Sequence, residues 1–381
     1  MKKLISYPKV SIVIPAYNEE KCIEKTLNVV MDLDYPLKKL EIIVVNDGST
    51  DNTDSIVKRV VRSNPAVNIR LITQKNKGKG AALNNGLNNC NSNYFVCLDA
   101  DSFVERNALK KMLPYFVNDT VAAVLPTLKV YKPRNVLQKL QWYEYLINMF
   151  YKELMGKLDC IHVTPGPFSV YSAKILKKLN GFDENNMTED LEMAFRLQLN
   201  HYKIVQLLDT EVKTIVPETF KDLYKQRNRW FKGATLNAIN YRKALFNKKY
   251  GDFGVMQMPT VLLSGALIIF IIASLFYYLI KPYVEYIANL INIHFDIITL
   301  LKNISFNIKF LDLSYTTIFI AIVMLIITLF ILKKSAISNR EKMNQYGSVV
   351  IFIYLLFYFI VLGVIWIGVL FDLLLGKKQK W

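Results

Sequence analysis

Apolar residues along the chain follow two short-range periods for the first hundred positions and later give way to unbroken apolar runs. Val10 to Ile14 is a short apolar run closed by Pro15. Asn18 then offers an N-cap, and Cys22, Ile23, Thr26, Leu27 and Val30 recur at helical spacing, which predicts a strand and then a helix. The unit repeats. Glu41 to Val45 leads through Asn46-Asp47-Gly48-Ser49 into a helix containing Ile56, Val60 and Val61. Ile69 to Ile72 leads through a glycine-containing turn into a helix from Ala81 to Leu87, and Tyr94 to Leu98 is a further strand ending on Asp99. Alternating strands and helices predict an α/β domain with a mostly parallel sheet covered on both faces, its ligand crevice beyond the carboxyl ends of the strands. Asp47, Lys79 and Asp99 each follow a different strand, so one rim can collect them.

Between Leu137 and Leu154, Leu137, Leu140, Tyr143, Ile147, Phe150, Tyr151 and Leu154 fall at helical spacing, with Gln138, Lys139, Gln141 and Lys152 between them. Such a helix fits a membrane surface or the core of the preceding domain. Val255 to Ile280, Leu313 to Leu332 and Val349 to Leu375 are nearly free of charge and reach the roughly 20 apolar residues that cross a bilayer. Pro282 to Leu301, interrupted by Glu285, Asp296 and asparagines, reads as an interfacial or re-entrant piece. The expected organisation is a catalytic α/β domain over residues 1–235, a basic interfacial linker over 236–254 and a membrane region over 255–381. Lys333, Lys334, Arg340 and Lys342 after the second run, and Arg242, Lys243, Lys248 and Lys249 before the first, predict cytoplasmic placement of both flanks. Lys377, Lys378 and Lys380 would then lie outside, against the same rule.

Composition narrows the partners. Lys and Arg outnumber Asp and Glu 48 to 31, a formal charge of +17, which suits a diphosphate ligand or acidic lipid. No zinc spacing, basic helix or stacking sheet argues for nucleic acid, so none is expected as a partner. Cys22, Cys90, Cys97 and Cys160 show no Cys-x-x-Cys spacing and read as small core residues in a reducing compartment. The basic N-terminus meets Pro8 and Lys9 before any run reaches signal length, so a cytoplasmic domain is expected.

Candidate chemistry sits at the predicted turns. Asp99-Ala100-Asp101 can present two carboxylates to a hard divalent cation, or simply form a solvated acidic turn. Asp47 can accept hydrogen bonds from a nucleobase or ribose, or belong to an Asp-Gly turn with Asp51 or Thr50 capping the next helix. Lys79 in Lys77-Gly78-Lys79-Gly80 opens a helix where a diphosphate could find an ammonium and free amides, or a flexible loop could hold solvated lysines. Thr188-Glu189-Asp190 precedes a helical pattern that Thr188 could cap, and a carboxylate there could serve as general base. Arg229 offers a fork for phosphate and Trp230 a flat face for a sugar ring, though an interfacial Trp-Arg pair explains both equally well.

In chain order, Ser11-Ile12-Val13-Ile14-Pro15-Ala16-Tyr17-Asn18-Glu19-Glu20, Asn46-Asp47-Gly48-Ser49, Lys79-Gly80-Ala81-Ala82-Leu83-Asn84, Asp99-Ala100-Asp101, Thr188-Glu189-Asp190 and Gln226-Arg227-Asn228-Arg229-Trp230 resemble the motifs of the family 2 glycosyltransferases. The nearest in kind are the processive synthases of cellulose, hyaluronan, chitin and poly-N-acetylglucosamine. The resemblance runs from about Lys9 to Gly233, and an ordered set is far more specific than any one motif. It implies a GT-A-like nucleotide-sugar domain and an inverting transfer. Under it, Tyr17, Glu19 and Asp47 would hold base and ribose, Lys79 and Asp99 the diphosphate region, and Asp101 a Mg2+ or Mn2+ ion. Asp190 would be the base, with Gln226, Arg229 and Trp230 closing over pyrophosphate and acceptor; Glu189 joins that group by position. Val163-Thr164-Pro165-Gly166-Pro167-Phe168 falls where such enzymes place an acceptor loop, with Gly166 admitting a sugar or merely forming a Pro-Gly turn. Two departures stand out: Asn46 replaces an aspartate usual beside Asp47, and no span precedes the catalytic domain, which argues against a complete channel. His162, His201 and His294 match no motif and read as structural or surface residues.

The expectation is therefore a multi-pass enzyme of the cell membrane, its catalytic domain cytoplasmic. It would transfer sugar from a UDP-sugar, UDP-N-acetylglucosamine or UDP-glucose foremost, to a growing glycan, alone or with an accessory membrane subunit. The alternatives are single transfer to a membrane lipid acceptor, as in ceramide or diacylglycerol glucosyltransferases, and a non-catalytic membrane scaffold.

Overall fold

A computed structural model describes residue 4, residues 6–292 and residues 315–376. His294, Asp296 and the basic residues after 376 lie outside these. The four expected strands form as β1 (Val10–Ala16), β2 (Leu40–Asn46), β3 (Ile69–Thr73) and β4 (Tyr94–Cys97), all parallel, in the order β3-β2-β1-β4. Both faces of β1 are covered: Ile12 and Ile14 join one apolar cluster with Ile23 and Leu27 of α1 (Ile23–Met31) and Val57 and Val60 of α2 (Thr53–Ser63). Val13 joins the other with Ala82, Leu83 and Leu87 of α3 (Lys79–Asn88). Two-sided burial explains why these strands read as continuous apolar runs.

Past β4 the sheet grows in ways the sequence pattern did not announce. It continues through β7 (Ser169–Ser172), β6 (Val121–Val130) and β8 (Lys203–Thr214) to β5 (Ser102–Val104) at the edge. The β4–β7, β7–β6 and β8–β5 pairings are antiparallel, whereas β6–β8 is parallel. The sheet is thus mixed, with four of its seven pairings parallel. Its chain order reverses at β1, flanked by β2 and β4, and a ligand crevice opens at such a point.

Short helix α4 (Ala108–Met112) packs on β8 and β6, α6 (Ala173–Lys178) on β7 and β4, and α5 (Val136–Lys157) against β6. Helix α5 starts at a capping box: Asn135 accepts from the Gln138 amide at 2.8 Å, and Gln138 returns the bond to the Asn135 amide, satisfying two otherwise orphan donors. Its buried face is not the stripe expected from the apolar spacing. Leu140, Tyr143, Leu146 and Met149 are buried, but so are Gln138, Gln141 and Lys152, whereas Leu154 is exposed. The buried polar groups are held by the protein, Gln138 and Gln141 donating to the carbonyls of Val216 and Pro217. The helix lies inside the fold because two further layers cover it.

Those layers are helices at the C-terminal end. Helix α7 (Glu189–Leu199) precedes β8, and α8 (Phe220–Asn240) leads through short turns to α9 (Met258–Asn292), α10 (Tyr315–Ser338) and α11 (Ser348–Leu374). The last three are each long and apolar enough to cross a membrane, and Tyr278, Phe319, Phe352 and Phe371 stand exposed on them. Pro282 lies inside α9, which runs on to Asn292, so residues 282–292 continue the first apolar helix; residues 293–301 of the expected interfacial piece lie outside the described residues. The turn after α10 is stitched to the catalytic part: Lys129 of β6 bridges Glu211 at 2.6 Å and Glu341 at 2.8 Å, Tyr143 donates to the Met343 carbonyl, and Asn339 to that of Leu146.

Three local expectations change. Asn18 adopts a left-handed backbone (φ 57°), and Cys22 is the residue that precedes α1, so Asn18 does not cap that helix. Its side-chain oxygen instead accepts from the Thr50 amide at 2.8 Å, tying the β1 turn to the β2 turn. Thr188 stands at the N-cap of α7 without making a capping bond; it accepts from Asn237 of α8 at 3.1 Å. Cys22 is only partly buried, although Cys90, Cys97 and Cys160 are buried and all four thiols are free.

Candidate active site

At the carboxyl edge of the parallel strands lies a cavity of about 560 Å³. It is lined by Tyr17, Glu19, Asp47, Lys79, Asp99, Asp101, Gly166, Asp190, Gln226, Arg229 and Trp230. Residues from seven separated segments thus share one opening: strand ends and helix starts deliver Tyr17, Glu19, Asp47, Lys79, Asp99, Asp101 and Asp190, a loop delivers Gly166, and the interior of α8 delivers Gln226, Arg229 and Trp230. Glu189 does not line it.

Asp47 follows β2 and is buried, with both oxygens engaged: Oδ1 accepts from Gln74 Nε2 at 2.8 Å and the Lys77 amide at 2.9 Å, and Oδ2 from the Gly78 amide at 2.8 Å. The carboxylate therefore shapes the loop that launches α3. Gly78 takes φ +92° there, which a side chain would resist. Lys79, the first residue of α3, reaches across to Asp99 Oδ1 at 2.6 Å and to Glu189 Oε1 at 3.2 Å. Burial disfavours its charge, yet Asp99 and Glu189 outweigh burial and push its pKa well above the usual lysine value. Glu189 is itself buried, so its proton affinity rises even with Lys79 beside it. Its carboxylate thus serves the Lys79 pair.

Gly166 packs over this pair. A Cβ there would stand 2.5 Å from both Asp99 oxygens and from Lys79 Nζ, so the loop 163–168 approaches only because residue 166 has no side chain. Asp101 is partly buried, and loss of solvent followed by repulsion from Asp99 raises its pKa to about 6. Glu19 behaves alike: burial, then Asp101, Asp99 and Asp51, lift it to about 7. Carboxylates crowded in this way are oxygen donors short of positive charge; among the described residues no three His, Cys, Asp or Glu side chains converge into a complete metal site, so a hard divalent cation here would need further oxygen ligands from a bound diphosphate.

Opposite, Asp190 is the second residue of α7, its Oδ1 accepting from the Leu191 amide at 2.9 Å and its carbonyl from Thr164 Oγ1 at 2.7 Å. Thr164 thereby fixes the Gly166 loop to the helix carrying Asp190. Helix α8 supplies Gln226, Arg229 and Trp230. Thr219 caps it, accepting from the Asp222 amide. Between them Arg227 is fully buried, bound through Nε and Nη2 to both oxygens of Glu144 on α5 at 3.0 and 2.7 Å. Its guanidinium lies 4.1 Å from the Trp230 ring centroid, so one face of that indole is occupied. Tyr358 of α11 donates to the same Glu144 at 2.6 Å.

Several lining residues matched no motif. Lys152 and His162 extend the cavity beyond Asp190, together with Tyr145, Asn148, Met149 and Tyr151. His162 is therefore a cavity residue and not a surface one, whereas His201 stacks on Tyr250 at 6.0 Å. A signal for Lys152 was present: positions 145, 148, 149 and 152 share one face of a helix. The apolar spacing of its neighbours drew attention to the other face.

A sheet that reverses at β1, with a cavity over its carboxyl edge joining paired aspartates, an ion-paired lysine and an arginine, defines a GT-A-type fold of the kind that holds nucleotide-sugars. Residues 11–179 match the family described as Glycosyl transferase family 2. Poly-beta-1,6-N-acetyl-D-glucosamine synthase of Staphylococcus epidermidis is 30% identical over 355 residues, 92% of this chain and 80% of the relative. The synthase of the same name from Staphylococcus aureus (strain COL) is 32% identical over 227 residues, 59% of this chain and 54% of the relative; the match spans about half that relative's length. Among solved structures, the mannosyltransferase PcManGT from Pyrobaculum calidifontis, in complex with GDP-Man and Mn2+, shares the fold with a TM-score of 0.57 and 23% identity, covering 71% of this chain and 76% of its own. The chain belongs to glycosyltransferase family 2.

Proposed function

We propose that this chain is an inverting membrane glycosyltransferase that moves a sugar, N-acetylglucosamine foremost, from a UDP donor onto a growing polysaccharide. The observation that carries the reading is one cavity lined by Asp47, Lys79, Asp99 and Asp101 on one side and by Asp190 and Arg229 on the other. The names of the relatives supply the sugar and the polymer.

In this reading Tyr17, Glu19 and the Asp47 loop receive the nucleoside, and Lys79 and Arg229 face the diphosphate with fixed positive charge. Asp101 would hold Mg2+ or Mn2+, with Asp99 on the donor side of it. Such an ion, when bound, offsets charge on the leaving diphosphate. Asp190 takes the proton of the attacking acceptor hydroxyl. The hydroxyl oxygen bonds to the anomeric carbon as the bond to the diphosphate oxygen breaks, and UDP leaves with that electron pair. A single displacement inverts the anomeric centre. Trp230 and Gln226 border the space left for the acceptor, while α9, α10 and α11 anchor the domain beside the bilayer.

The test is UDP-N-acetylglucosamine supplied to the purified full chain in lipid, with UDP release and product mass followed together. Long, water-soluble chains made only with a divalent cation, and lost in Asp190→Asn, support the reading. A product extracted into organic solvent with a single added sugar would transfer the chemistry to a lipid acceptor. Cellular function undisturbed in Asp190→Asn at normal protein levels would leave only a scaffold.

A further inference from the structure

Beyond Asp190 the cavity has an end that none of the motif residues explains. One face of α5 forms its wall, and His162 stands beside it. Lys152 is 8% exposed. Among the described residues it makes no hydrogen bond or ion pair, unlike Lys79, which shares its charge with Asp99 and Glu189. Its nitrogen is not among the sealed, unsatisfied polar atoms of the fold, so the charge of this largely buried side chain is presented to the cavity, where an oxygen-bearing ligand can complete it.

The neighbouring groups define what that ligand must offer. The Tyr151 hydroxyl donates to Gln257 Oε1 at 2.9 Å, which turns the Gln257 amide nitrogen toward His162 Nδ1, 3.0 Å away. An amide nitrogen donates, so Nδ1 accepts and the ring proton sits on Nε2. Lys152 and His162 thus both bring donors to this end of the cavity. The complementary ligand carries oxygen acceptors, hydroxyl or amide carbonyl, as a sugar does.

We propose that Lys152 and His162 form the acceptor subsite, donating hydrogen bonds to oxygens of the acceptor's terminal sugar and so holding its free hydroxyl toward Asp190. This rests on the glycosyl-transfer reading above. Lys152 is then a specificity-determining residue, and its charge is tunable. Burial lowers its pKa to about 8, with Asp190 on α7 opposing that shift. His162 is drawn down to about 4 by burial and then by Lys152, so it stays neutral across the Lys152 transition. Arg229 on α8 lines the same cavity, and Tyr145 and Tyr151 stand on α5 itself. Burial raises the pKa of both tyrosines, keeping them protonated through the transition. Glu19, near 7, and Asp101, near 6, titrate below it at the donor end.

The experiment uses the full chain in lipid with UDP-N-acetylglucosamine and a soluble N-acetylglucosamine disaccharide as acceptor. Lys152→Met raises the acceptor KM by about tenfold or more, the effect of removing a charged hydrogen bond, while UDP affinity measured by calorimetry stays at the wild-type value. Acceptor affinity of the wild type weakens as pH rises through about 8, where the ammonium loses its proton. Lys152→Met abolishes that dependence and Lys152→Arg, charged throughout, moves it out of range. An acceptor KM unchanged in Lys152→Met, or UDP and acceptor affinity falling together in both variants, overturns the subsite. Failure of the wild type to release UDP from any UDP-sugar sinks the transfer reading, and the subsite with it.

Discussion

Gly166 leaves no room for even one methyl group, because its missing Cβ would stand against both Asp99 oxygens and Lys79 Nζ. Gly166→Ala must therefore displace the loop or the ion pair. A shift of about 1 Å at reacting groups costs on the order of 10²-fold in rate, whereas overpacking costs about 1–3 kcal/mol of stability. The expected outcome is near-complete loss of UDP release in a protein that still unfolds cooperatively; wild-type turnover would refute the close approach. The sequence made Gly166 a candidate through its Pro-Gly-Pro setting, but a plain turn fitted as well. Only the fold decides, since Asp99 is 67 residues away along the chain. Asp47 teaches the same lesson in reverse. Its position after a strand was legible, yet its bonds to Gln74, Lys77 and Gly78 required knowing how the β3 turn folds back.

Helices α5 and α8 show what periodicity leaves out. An amphipathic pattern identifies one apolar stripe, and α5 has a second face that is polar and buried: Glu144 holds Arg227, and Lys152 lines the cavity. Residues 83 positions apart form the ion pair and Tyr358 joins from 214 residues away, so no local signal marked it. Breaking a buried pair leaves a bare charge, at a cost of about 3–5 kcal/mol. Glu144→Leu is expected to lower the thermal midpoint sharply and to disorder the helix that carries Gln226, Arg229 and Trp230. Tyr358→Phe removes one hydrogen bond to a charged group, about 1.5–3 kcal/mol, and keeps the ion pair. If Glu144→Leu melts like the wild type in lipid, the clamp does not hold α8.

At the scale of the whole molecule, the parallel half of the sheet was readable because β1, β2 and β4 are largely buried on both faces and β1, β2 and β3 are each followed by a helix. The other half was not. There β6 pairs in parallel with β8, 81–84 residues downstream, and β5 returns to the edge, pairings that hydrophobic runs alone do not encode. The three long apolar helices were plain from composition, apart from the continuation of α9 past Pro282. The shortest, with 24 residues, is about 36 Å long, enough for a hydrocarbon core of roughly 30 Å. The chain is therefore expected to stay in the membrane pellet after alkaline carbonate extraction, and its release to the supernatant would count against these helices as spans.

The stitching of Lys129, Tyr143 and Leu146 to the turn after α10 also bears on how such a protein can be handled. A fragment cut after α8 to obtain a water-soluble enzyme would strip Lys129 of one of its two carboxylates and Glu144 of its tyrosine. The apolar side of α5 would open to solvent in the same stroke. These contacts tie the N-terminal sheet domain to its hydrophobic tail, so preparations that keep the tail in detergent or lipid are the ones expected to hold the cavity in the form described.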